Sequence, residues 1–122
     1  LYHGSLDVYQ ADVVWSTGIL RARQLAQEVQ AAGAIYSPHT WGDGLVLLAN
    51  LQVAAAVSTA PFIEFPYDPP EWTPVRRDYI LPTVIEAEEG GWVTLPAAPG
   101  LGVEIDWAAL EPWRIGVGTM EG

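Results

Sequence analysis

Residues 7–39, DVYQADVVWSTGILRARQLAQEVQAAGAIYSPH, hold a strand, a helix and a second strand in one sweep. Val8-Tyr9-Gln10-Ala11 has the β-branched and aromatic character of a short strand, introduced by Asp7 and ended by Asp12. After Gly18, apolar residues recur at Ile19, Ala22, Leu25, Ala26, Val29 and Ala32, the spacing of one helix face. Arg21, Arg23, Gln24, Gln27, Glu28 and Gln30 occupy the opposite face. Gly33 stands where a helix stop is expected. Ala34-Ile35-Tyr36 reads as the second strand and runs into Ser37-Pro38-His39.

Working outward, Thr40-Trp41-Gly42-Asp43-Gly44 is a loop that leads into residues 45–57, apolar on nearly every face. Such a helix is buried on both sides or lies at a subunit interface. Pro61 punctuates, and Phe62-Ile63-Glu64-Phe65 predicts a third strand. Strand, helix, strand, helix, strand with short connections is the rhythm of parallel βαβ units, which predicts an α/β fold. From Pro66 the rhythm breaks. Tyr67-Asp68-Pro69-Pro70-Glu71-Trp72, with Pro74 and Pro82 beyond it, predicts a long irregular connection. Trp92-Val93-Thr94-Leu95 and Gly102-Val103-Glu104-Ile105 predict two short strands, and Asp106 predicts the N-cap of a brief helix over 107–110. Residues 113–122 are a tail.

A chain of 122 residues has room for one small domain and not for two. It starts at Leu1 with no signal-peptide pattern and contains no apolar run as long as a membrane span. The absence of cysteine excludes a disulfide framework, thiolate metal ligation and a cysteine nucleophile, and fits a reducing, cytoplasmic setting. Net charge is −10, with 15 acidic residues against five arginines and no lysine, so nucleic acid and anionic membranes are not expected partners. Half the residues are apolar, six are Trp, and the mean hydropathy is +0.17. That excess excludes disorder and predicts apolar surface covered by more chain or by another subunit, as in a homo-oligomer.

Three predicted strands each end at or near a polar group: Asp12, His39 and Glu64. In a parallel (β/α) barrel the strand C-termini share the face that carries catalysis, so these side chains would converge. An Asp hydrogen-bonded to a His fixes its tautomer and orientation, which makes the imidazole a competent acid or base. Taken singly, Asp12 reads as a loop carboxylate and His39 as a turn histidine. Glu64, between Ile63 and Phe65, reads equally as half of a structural pair or as a functional group. Glu86, Glu88 and Glu89 beside Gly90-Gly91 read as a solvated loop rather than a metal site, whereas Asp68 and Glu71 are candidates for a pocket mouth.

Asp7 to Val14 with Gly18-Ile19, Ser37-Pro38-His39-Thr40-Trp41, Asn50-Leu51 through Ala56, Phe62 to Phe65, and Trp92 to Pro96 with Pro99 to Val103 together resemble the mandelate racemase branch of the enolase superfamily. They match its sixth strand, seventh strand end, seventh helix, eighth strand and closing segment, in that order. The resemblance covers nearly the whole chain. It implies the C-terminal part of a (β/α) TIM-like barrel, with residues 1–67 as a barrel segment and 68–122 as a closing segment that packs on the barrel and on a capping domain. Trp72, Trp107 and Trp113 would pack between the two.

The implied reaction is abstraction of the proton α to a carboxylate, giving an enediolate held by Mg2+, in an acid-sugar dehydratase or a racemase. Asp12 and His39 would be the Asp–His dyad, and Glu64 would hydrogen-bond the substrate carboxylate. The magnesium ligands and the second base would lie outside this chain. Asp12 also stands where the muconate cycloisomerase branch carries a lysine, which speaks against a cycloisomerase. Two departures, Thr17-Gly18 for paired glycines and Trp15 for a smaller or basic residue, bear on substrate identity. The rival reading is a non-catalytic fragment or binding module with no activity of its own.

Overall fold

The computed structural model describes residues 4–116. Strand β1, Val8–Tyr9, and strand β2, Ile35–Tyr36, pair in parallel, with Val8 opposite Ile35 and Tyr9 opposite Tyr36. Both strands are shorter than the sequence predicts, but the parallel pairing persists beyond them. Ser37 N–H donates to Tyr9 O at 3.0 Å and His39 N–H to Gln10 O at 3.4 Å. Helix α1, Gly18–Ala31, connects the two strands and buries Ala22, Ala26 and Val29. Ile19 and Ala32, at the two ends of the predicted face, stay exposed. Gly33, at φ 71°, adopts the left-handed conformation that ends a helix, which a glycine reaches without a Cβ clash.

Helix α2, Gly44–Ala54, starts on the Asp43 side chain, which accepts from Leu45 N–H at 3.0 Å and Val46 N–H at 3.2 Å. It is the middle layer of the molecule, which accounts for its apolar surround. One face contributes Ala49 and Val53 to a core with Val13, Ala22, Ala26, Val29 and Tyr36. The other contributes Leu47, Leu48 and Leu51 to a second core with Ile80 and Leu81. The helix ends at Ala54, three residues before the sequence prediction.

Three predicted strands are not strands in the structure. Residues 62–65, 92–95 and 102–105 run without ladder partners among the described residues. Their side chains are used all the same: Ile63, Phe65, Val93, Leu95, Val103 and Ile105 pack on the second core. Burial of alternate residues wrote the strand pattern, and a pattern of that kind does not supply a hydrogen-bonded neighbour.

The irregular connection contains a helical turn absent from the sequence reading, α3, Pro74–Arg77, capped by Thr73. Arg77 and its neighbour Asp78 are fully buried. Arg77 donates to both Asp78 carboxylate oxygens at 2.7 Å, to Pro66 O at 3.2 Å and to Ile85 O at 2.5 Å, and lies 4.5 Å from the Phe65 ring centroid. Ile85 N–H returns to Asp78 at 2.7 Å. The pair packs closely on the start of α2, where a Cβ on Gly44 would lie 2.5 Å from Asp78 Oδ1. Helix α4, Trp107–Leu110, forms where predicted, with Asp106 capping Ala109 N–H at 3.0 Å. Trp107 and Trp113 are exposed, whereas Trp72 stacks on Trp41 at 6.2 Å.

Candidate active site

Two parallel strands with a fixed register place the residues that follow them. Val8 faces Ile35, an offset of 35 − 8 = 27, and Asp12 and His39 carry the same offset. Beyond the strands the pairing shifts by one residue, His39 N–H donating to Gln10 O rather than Ala11 O, and the two side chains still meet past the strands' C-terminal ends. Asp12 Oδ2 lies 3.2 Å from His39 Nδ1. A carboxylate can only accept, so the proton of this hydrogen bond sits on Nδ1 and Nε2 is left free.

Asp12 itself is held from the other side. After it the chain forms a π-helical turn, Val13–Thr17, which the sequence reading does not contain. Asp12 Oδ1 caps this turn, accepting from Val14 N–H at 2.7 Å and Trp15 N–H at 3.1 Å. The residue is 5% exposed, and these bonds offset the cost of burying its carboxylate. Val13 N–H, which the Asp12 side chain does not take, donates instead to Asn50 Oδ1 at 2.9 Å. The beginnings of an explanation lie in α2, where Asn50 is a polar residue in a run of apolar ones; that is the one signal by which the sequence marks it.

Tyr36, on β2 beneath the pair, donates its hydroxyl to Ala11 O at 2.8 Å. Burial, and secondarily the negative Asp12, push the hydroxyl up from 10.0 to about 12.

Glu64 arrives on the far side of His39. Its strand is not formed, yet two contacts show the chain running in the same sense as β2. Tyr36 N–H donates to Thr59 O at 3.0 Å, and further along Thr40 N–H donates to Glu64 Oε2 at 2.6 Å. Ile63 and Phe65 turn to the core and Glu64 stays exposed. Its Oε2 stands 4.0 Å from His39 Nε2, beyond hydrogen-bond reach. Half of the His39 side chain remains open. The three residues thus come together, with an ordered Asp–His hydrogen bond and a carboxylate across a gap from the free nitrogen.

The other candidates lie apart from this group. Glu71 pairs with Arg76 at 3.4 Å, and Asp68 closes a tight turn through two backbone bonds of 2.7 Å with Trp72. Glu86, Glu88 and Glu89 are exposed, and Glu88 bonds Thr94.

The residues present do not fit a magnesium ion. Mg2+ requires a near-octahedral set of oxygens, and both Asp12 oxygens are already engaged, as is Glu64 Oε2. Among the described residues no group of three or more His, Asp or Glu is placed to hold a metal ion.

Parallel strands joined by a helix, with polar groups gathered past their C-terminal ends, define an α/β fold consistent with part of a (β/α) barrel. The sequence matches the Enolase C-terminal domain-like family over residues 1–109, and the chain belongs to that family. It is 33% identical over 116 residues to a D-galactarolactone cycloisomerase of Agrobacterium fabrum, covering 92% of this chain and 30% of the relative. It is 32% identical over 110 residues to an arabinonate dehydratase of Saccharolobus solfataricus, covering 90% and 28%. A mandelate racemase/muconate lactonizing enzyme-like protein from Roseovarius superposes with a TM-score of 0.74 at 27% identity, covering 88% of this chain and 25% of that one. The chain therefore spans less than a third of the relatives it matches. Since one relative is named a cycloisomerase, the missing lysine does not separate this chain from every enzyme so named. No helix among the described residues is long and apolar enough to cross a membrane.

Proposed function

We propose that this chain supplies the sixth to eighth strands of a barrel in a longer enzyme, residues 1–67 forming the barrel segment and 68–122 the closing segment against a capping domain. The enzyme abstracts the proton α to the carboxylate of a sugar acid. The observation that carries this reading is the 3.2 Å contact between Asp12 Oδ2 and His39 Nδ1 at the ends of parallel strands, with Glu64 4.0 Å from Nε2. Asp12 fixes the imidazole so that Nε2 is the nitrogen that exchanges a proton with substrate. His39 Nε2 takes the α proton as the C–H electron pair moves into the carboxylate to give an enediolate, to which Glu64, in its protonated form, donates a hydrogen bond. Loss of a β-hydroxyl, protonated by His39 and departing as water, completes a dehydration. Reprotonation on the opposite face completes a racemisation or epimerisation.

Dehydration of a sugar acid is the first choice, supported by the name of the arabinonate relative. Both curated relatives are named for enzymatic activities, which weighs against a binding module. Magnesium, implied by the resemblance, would be held by acidic residues outside this chain. A cytoplasmic homo-oligomer is the expected setting. The test is His39→Asn in the intact protein, assayed on a sugar-acid panel that includes arabinonate and D-galactarolactone. Turnover should fall on the order of 10²–10⁴-fold with the fold retained, the range of a general acid–base group. Near-normal turnover removes His39 from the mechanism and overturns the reading.

A further inference from the structure

Helix α2 is apolar along almost its whole length, yet one of its fully buried residues is an amide. Asn50 is 0% exposed. Its Nδ2 donates to Val46 O at 3.2 Å, a local bond within the helix. Its Oδ1 accepts from Val13 N–H at 2.9 Å, a bond that spans 37 residues of sequence. A buried amide is costly unless its polar atoms are bonded, so an apolar residue in this place would pack more simply. The amide has a use in the turn it reaches.

Asp12 Oδ1 already accepts two backbone N–H groups, and Oδ2 faces His39. Val13, 1% exposed, has no water to bond, so its N–H needs a protein acceptor. Without Asn50 that donor is orphaned, and the turn relaxes toward the nearest acceptor, the Asp12 carboxylate. Such a shift draws Oδ2 away from the imidazole. The same helix governs the other half of the pair, because the loop bearing His39 runs directly into the N-terminus of α2, where Asp43 caps Leu45 and Val46.

We propose that Asn50 is a positioning residue for the reaction: by taking the Val13 N–H it holds Asp12 in the orientation that fixes His39, and α2 thereby sets both halves of the pair. The proposal rests on the function inferred above for Asp12 and His39.

The experiment uses the intact protein and two readouts. One is the proton NMR resonance of the His39 Nδ1–H, moved downfield by its carboxylate bond and assigned by its loss in His39→Asn. The other is turnover of arabinonate and D-galactarolactone. Asn50→Leu is near-isosteric and lacks the acceptor, and Asn50→Ala removes the acceptor without bulk should leucine not be accommodated. Asn50→Asp keeps an oxygen in the same place. The resonance should vanish or shift in the leucine and alanine variants and persist in the aspartate variant. In the first two kcat should fall on the order of 10–100-fold, as for residues that orient a functional ligand through its partner, with KM little changed. An unchanged resonance in both leucine and alanine variants overturns the proposal. So does its equal loss in a folded aspartate variant, which would leave Asn50 a structural role alone. Normal turnover in His39→Asn sinks the proposed function instead, whatever the Asn50 variants show.

Discussion

Asp12 carries three separate obligations, to the turn that follows it, to His39 and to the field felt by Tyr36. Asp12→Asn keeps the shape and gives up the charge. In the intact protein its effect on turnover should be comparable to that of His39→Asn or milder, since the imidazole remains but its tautomer is no longer dictated; a larger loss than in His39→Asn would contradict this order. Tyr36 offers a prediction in pH. Unfolded, its hydroxyl gives up a proton at its ordinary value of 10.0, whereas the folded chain keeps it to about 12. Between those values the folded state binds more protons than the unfolded one, so stability falls as pH rises. The contribution of Tyr36 is fully present below pH 10 and is lost as pH climbs through 12. Urea midpoints of the intact protein measured across that window should decline less steeply in Tyr36→Phe than in the wild type. Parallel declines would show that the hydroxyl does not titrate as described.

At the scale of elements, the buried Arg77–Asp78 pair should behave as a unit. Either Arg77→Ala or Asp78→Ala alone leaves an uncompensated charge at full burial, a loss of about 3–5 kcal/mol. The double variant should cost much less than the sum, and additive losses in denaturant unfolding would argue against coupling. Gly44→Ala tests the same junction from α2, since the new methyl group must displace the Asp78 carboxylate and Leu81, and a melting point equal to the wild type would show that the approach is not tight. None of this junction is legible in the sequence. Arg76 and Arg77 are adjacent and chemically identical, yet one is largely exposed and the other wholly buried, because the carbonyls that receive Arg77, of Pro66 and Ile85, are brought to it by irregular chain on either side. By contrast α1, α2, α4 and the βα rhythm follow from periodicity and caps close at hand, which a sequence does record. The sequence also places Asp12 and His39 at strand ends. It misses Asn50 and the π-helical turn, whose roles depend on which amides the carboxylate leaves over. The expected strands at 62–65, 92–95 and 102–105 are absent for the converse reason: alternation at 62–65 reports which side chains are buried, and a ladder needs a neighbour that the pattern does not name.

At the scale of the whole molecule, helices cover one face of the β1–β2 sheet and none covers the other among the described residues. Tyr9 and Tyr36 turn to the covered side and pack in the first core. Val8 and Ile35, in register on the opposite side, are 42% and 38% exposed, and Phe62, two residues before Glu64, is 73% exposed. In a closed barrel these side chains would fill the interior and both sheet edges would find partners. The 122 residues span 30% and 28% of the two curated relatives, so the cover is expected from the rest of a longer chain. It follows that the isolated chain should be aggregation-prone or only loosely folded, through its open edges and its bare apolar face. It should also show no turnover and no stoichiometric magnesium binding, since the carboxylates nearest His39 are committed to backbone amides and to the imidazole itself. Size-exclusion chromatography with a thermal melt tests the first expectation, and calorimetric titration with magnesium alongside the sugar-acid assay tests the second. A sharp cooperative melt from a monodisperse monomer would mean that the apolar face needs no cover. Tight binding of one magnesium ion per chain would overturn the expectation that the ligands lie outside these 122 residues.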